Sequence, residues 1–135
     1  MNNVKSRAQL SHFTDVEPLC LGCQVNNTIA HMFLHCQTIK TIVSSVLNHF
    51  LDIDNLQIID IFECTKFDQK LKKATFLILG ACLFSAYNLD IRLKSPNIRA
   101  AKNAAIQLCN IFAQTVKGKV YFENIKNTPL YKFIN

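Results

Sequence analysis

Between positions 20 and 36 the chain reads C-L-G-C-Q-V-N-N-T-I-A-H-M-F-L-H-C. No other segment constrains the fold as tightly, because C-x2-C-x7-H-x4-C is the ligand spacing of a small metal site. A two-residue gap lets the thiolates of Cys20 and Cys23 point at one ion, and Gly22 between them supplies backbone freedom for such a knuckle. His31 and Cys36 then close a tetrahedron from the other side. The fourth ligand has an alternative. In a regular helix His31 and His35 share a face, and Cys36 lies about 100° away around the axis. Either set fills four positions, as in structural zinc, whereas catalytic zinc keeps a place for water. The competing reading is plain packing, with the cysteines as small core residues and His31 as a satisfied helix histidine. Spacing and redox context favour zinc. Met1 to Ser11 holds no apolar stretch of the secretory kind, so the thiols are read as reduced and the chain as intracellular, in cytoplasm or nucleus. Cys64, Cys82 and Cys109 stand apart in apolar or helical surroundings and are expected in the core.

A chain of 135 residues has room for one domain of ordinary size. Half of its residues are apolar, and three glycines with three prolines supply few turns, so a mainly α fold is expected. It is read as a small helical domain with an amino-terminal zinc-binding CCHC box. Ile39, Ile42, Val43, Val46, Leu47, Phe50 and Leu51 recur at helical spacing and predict a helix over about 37–51. A second helix is predicted over 70–92, where Ala74 to Tyr87 carries no charge. Those fourteen uncharged residues fall short of the roughly 20 that span a bilayer, so the segment is read as a central helix covered by neighbours, with no membrane partner. Ser95 as cap and Pro96 at the first helical position open a third helix, over 96–117, with Gly118 as its stop. The domain is therefore placed at 1–118 and residues 119–135 are a tail, docked as a loop or hanging free, with Val120–Phe122 a short strand or nothing regular. Leu56–Phe62 is read as one or two helical turns, and Asp52, Asp54, Asp60 and Glu63 as solvated loop and helix-end charge.

The net charge of +6 is unevenly spread. Residues 1–63 carry three basic against six acidic side chains, and residues 64–135 carry twelve against three. A basic second half attracts polyanions, and Lys66, Lys70, Lys72, Lys73, Arg92, Lys94, Arg99 and Lys102 are its candidate nucleic-acid contacts. Between Cys20 and Cys36 there is no Lys or Arg and one aromatic residue, Phe33. The box is thus a folding staple rather than a reader of bases.

Arg7-x-x-Leu10, the Cys20–Cys23 pair, and Asn27-Thr28-x-x-His31-Met32-Phe33-x-x-Cys36 together resemble the zinc-binding domain downstream of the polymerase in non-LTR retrotransposon reverse transcriptases. Leu21, Asn27 and Gln37 stand where that family commonly has proline, an acidic residue and proline. Ile78 to Arg92 is similar to the family's apolar helix with its aromatic-x-x-basic end, without the tryptophan often found there. The resemblance covers Arg7 to Arg99. It implies Cys36 rather than His35 as fourth ligand, helices after the box, contact with template RNA or target DNA, and an isolated carboxy-terminal piece without catalysis.

Enzyme signatures are missing from the sequence. Gly22, Gly80 and Gly118 are isolated, which excludes a P-loop; neither H-E-x-x-H nor the deaminase pair of H-x-E and P-C-x-x-C occurs. Two readings follow: a non-enzymatic accessory module binding nucleic acid, with no small-molecule substrate, or a zinc-stabilised helical domain for protein contacts or a retroelement remnant without a retained role.

Overall fold

The computed structural model describes residues 5–54, 60 and 68–134. Among them the architecture is helical, with an isolated antiparallel bridge, Leu19 to Asn26, in place of any strand. We number the helices α1 (Arg7–Leu10), α2 (Gln37–Leu51), α3 (Lys72–Ile91), α4 (Ile98–Ala113) and α5 (Val116–Asn124). A five-residue π-helical turn, His31–His35, precedes α2; 3-10 turns occupy Gln69–Leu71 and Pro129–Phe133.

Helix α2 forms where its apolar spacing predicts. Ile39, Val43, Val46, Leu47, Phe50 and Leu51 are buried on one side, and Asp52 closes the helix in the left-handed region, at φ 56°. Helix α3 is apolar around most of its circumference because it packs against α4 on one side and α2 on another. With the preceding 3-10 turn it spans 23 residues and contains an 18-residue window of mean hydropathy 1.5, so by length and composition it reaches membrane-crossing size. Ala74, Ile78, Leu79, Cys82 and Ala86 nevertheless bury themselves in the helical core.

Helix α4 starts later than expected. Asn97, not Ser95, is its cap: the Asn97 side chain accepts the Ala100 N–H at 2.8 Å, and Pro96 lies outside the helix. It also ends earlier. Thr115 accepts the Gly118 N–H at 2.9 Å and so starts α5. Gly118 is therefore inside a helix and does not stop one. Its missing side chain answers another demand, since a Cβ there would lie 1.8 Å from the Phe112 carbonyl oxygen.

The expected tail after 118 is corrected as well. Phe122, Ile125, Leu130 and Ile134 are buried in the same core as α2, α3 and α4. Tyr121 ties α5 to the start of α3, its hydroxyl donating to the Lys70 carbonyl at 2.6 Å and accepting the Ala74 N–H at 2.9 Å. That amide is one of the unpaired donors of the first helical turn, so residues beyond 118 cap the central helix. Apart from Asp60, Leu56–Phe62 lies outside the described residues, and Asp60 is buried rather than solvated.

Candidate metal centre

Two short elements and a helix start build the centre. Cys20 and Cys23 sit on a tight turn closed by Gln24 N–H to the Cys20 carbonyl at 3.0 Å and Cys20 N–H to the Val25 carbonyl at 2.7 Å. The left-handed residue of this knuckle is Gln24, at φ 61°, rather than Gly22. Gly22 matters through proximity: a Cβ there would come within 3.0 Å of Thr38 Oγ1, so a bare backbone lets the knuckle lie against the start of α2.

The π turn decides the fourth position. Its i to i+5 bonding, seen as Cys36 N–H to the His31 carbonyl at 2.6 Å, brings positions 31 and 36 into line. In an α-helix positions 31 and 35 would align instead. His35 is accordingly exposed and Cys36 buried. The ligand atoms of Cys20, Cys23, His31 and Cys36 all lie within 4.8 Å of one another and can hold a metal ion. Cys36 Sγ is 3.8 Å from Cys20 Sγ and 3.9 Å from Cys23 Sγ, far beyond a disulfide bond of about 2.05 Å.

His31 supplies the test of fit. Its Nε2 is buried without a hydrogen-bond partner, a costly state for a polar atom unless something else meets it. Burial, assisted by the neighbouring charge of His35, holds the imidazole below its ordinary value and hence neutral, the form a metal takes. The sulfurs meet the open amino end of α2, which has no side-chain cap. The Gln37 N–H, with smaller contributions from Cys36, Cys20 and Thr38, holds the Cys23 thiol below its usual value of 9.0 against partial burial. Burial pushes Cys36 the other way, to about 11, with Ile39 N–H opposing and the neighbouring thiols adding to the rise. First-turn amides of α2 thus serve cysteine sulfur instead of a Ser or Asp cap.

Behind the cluster a cavity of about 60 Å³ is lined by Cys20, Gly22, Asn27, Cys36, Asp90 and Pro96. The centre therefore backs onto the turn between α3 and α4. There the sequence reading missed a second constellation. Arg7, fully buried, donates from Nη2 to Asp90 Oδ1 at 2.9 Å, from Nε to Asp90 Oδ2 at 3.1 Å, and from Nη1 to the Glu17 carbonyl. The Ser6-x-x-Gln9 capping box, which fixes the short helix that carries Arg7, was the available signal.

The basic candidates divide into two groups. Lys70, Lys72 and Lys73 lie exposed at the amino end of α3, with Lys73 Nζ 5.4 Å from the Phe112 ring centroid. Arg92, Lys94 and Arg99, exposed, and Lys102, half-buried, lie about the turn from α3 to α4. The length of α3, about 30 Å for twenty residues, separates the groups. Lys66 and Cys64 lie outside the described residues, whereas Cys82 and Cys109 are buried in the core as expected. No family model, no curated protein and no solved structure matches this chain, so its function has to be read from the site itself.

Proposed function

We propose that this chain is a zinc-stapled, non-catalytic helical domain that binds nucleic acid through its basic second half. The observation that carries the zinc reading is the Cys20, Cys23, His31 and Cys36 cluster with its unpartnered His31 Nε2. Zinc–sulfur bonds of about 2.3 Å in a tetrahedron set sulfurs about 3.8 Å apart, which agrees with the 3.8 and 3.9 Å separations. Four protein ligands leave no position for a reacting water, so zinc here would fold the amino-terminal third and do no chemistry. We read the thiols as reduced and the domain as intracellular, the setting in which spaced cysteines more often hold a metal than form disulfides.

The nucleic-acid reading rests on the net +9 of residues 64–135, on the two cationic groups at the ends of α3, and on the resemblance of the cysteine box to the retroelement zinc-binding domain. Phosphate contacts release counterions, so affinity for a labelled single strand should fall with salt at a log–log slope of about −0.7 per contact. Four to five contacts give about −3, and replacing Lys70, Lys72 and Lys73 with Gln should reduce that magnitude by about two while zinc content stays unchanged. Salt-independent binding, or a triple variant that binds like the parent, would replace this reading with the protein-contact one. Zinc content near zero in reduced, zinc-supplied protein would end the staple reading.

A further inference from the structure

Helices α3 and α4 leave an apolar groove of about 500 Å³ on their outer side, lined by Gly80, Phe84, Ala104, Gln107, Leu108 and Ile111. Phe84 is 66% and Ile111 64% exposed, so neither contributes much to the core. Gly80 is the informative residue. It sits in the interior of α3, where glycine is less stable than alanine by about 1 kcal/mol. A Cβ at that position would meet nothing within 4 Å, and its φ is not positive. Folding therefore does not ask for glycine there. Gly80 makes a notch beside the Phe84 ring.

The charges around the groove narrow the occupant. Lys70, Lys72 and Lys73, the last over the Phe112 ring, outnumber the exposed Asp68 at one end of α3, and Arg92, with Lys94, stands at the other. Helix α4 contains no carboxylate, and the single carboxylate of α3, Asp90, is buried against Arg7. An apolar floor between cationic ends fits an apolar stripe flanked by acidic residues. A second copy of this chain would bring like charges together, and a nucleic-acid strand would set its phosphates over carbon. The distance from Lys73 to Arg92 along the helix, about 28 Å, suits about five turns of an approaching helix.

We propose that this groove docks an amphipathic helix of a partner protein, its apolar side chains at i, i+3, i+4 and i+7 seated on Gly80, Phe84 and Ile111 and its flanking Glu or Asp residues meeting Lys72, Lys73 and Arg92. The site is distinct from the zinc centre and stands whether or not the chain binds nucleic acid.

The zinc-loaded full chain is offered a displayed library of helical peptides of about 18 residues, apolar at those spacings and randomised among Glu, Lys, Gln and Ala elsewhere. Selected sequences should be enriched in Glu toward both ends. A labelled selected peptide should bind about tenfold more weakly to Gly80→Leu and to Ile111→Ser, at unchanged zinc content and unchanged single-strand affinity. Phe84→Ser gives a third reading should Gly80→Leu fail to fold, since an exposed side chain is removed rather than added. Four results would overturn the proposal: no binder, enrichment of Lys or of no charge, binders indifferent to all three substitutions, or a parent chain whose self-association or capture by anionic phosphatidylserine vesicles is what Phe84→Ser abolishes.

Discussion

Arg7 and Asp90 are 83 positions apart and form a two-point ion pair with no solvent contact on the arginine side. A buried pair gains little over an apolar pair of the same shape, yet losing one partner strands a charge and costs about 3–5 kcal/mol. Asp90→Ala and Arg7→Met should each lower stability by that amount in urea unfolding, and Arg7→Met combined with Asp90→Leu should recover much of it. Additive losses in the double variant would show that the two residues do not act as a pair. At the metal centre, His31→Ala and Cys36→Ser should abolish tight zinc binding, measured by competition with a chromogenic chelator, while His35→Ala should bind like the parent. The four candidate ligands were legible because their spacing is local. The choice between His35 and Cys36 was not legible from helical geometry, since that geometry assumes 3.6 residues per turn and the chain makes a π turn between them. Asp90 was equally hidden, because nothing in its neighbourhood names a partner 83 residues away.

Two glycines carry opposite predictions at the scale of elements. Gly80→Ala adds a methyl group to open space within α3 and should raise the thermal midpoint, by about 0.5–1 kcal/mol of stability. Gly118→Ala would drive its Cβ to 1.8 Å from the Phe112 carbonyl oxygen and 2.6 Å from its carbon, so α4 and α5 must separate. That should cost about 1–3 kcal/mol, as overpacking does. If Gly118→Ala melts with the parent, the close crossing of the two helices is not as drawn. Tyr121→Phe removes the hydroxyl that caps Ala74 and should cost about 1 kcal/mol. Helix α2 could be read residue by residue because its stripe is amphipathic and uninterrupted. Helix α5 could not: glycine at a first turn looks like glycine past a last turn. The signal that remained was the spacing of Phe122 and Ile125, then Leu130 and Ile134, broken by Pro129. Helical spacing in a segment rich in Asn and Lys is easily taken for a tail.

At the scale of the whole molecule the core is continuous from Cys20 and Cys36 to Ile134, with two further cysteines inside it. Burial pushes Cys82 and Cys109 each to about 12, against an ordinary thiol value of 9.0. The folded chain therefore holds these protons at pH values where the unfolded chain has released them. Stability from this source is complete below pH 9 and is lost as pH rises from 9 toward 12, by about 1.4 kcal/mol per pH unit for each thiol. The measurement is made with zinc supplied, since thiolates on the proposed zinc would already be deprotonated and contribute little to the slope. Tyr121, which burial and then the nearby Cys109 push up, responds to the same substitution, so the comparison is made in a Tyr121→Phe background. Cys109→Ala should thus be less stable than the parent at pH 8, through lost packing, and should close that gap as pH rises. Above pH 9 the difference between the two should shrink by about 1.4 kcal/mol per unit in urea unfolding, and could change sign before pH 12. A gap that stays constant from pH 8 to pH 11 would mean that Cys109 releases its proton in the folded chain as readily as in water, and that the interior around α3, α4 and α5 admits solvent.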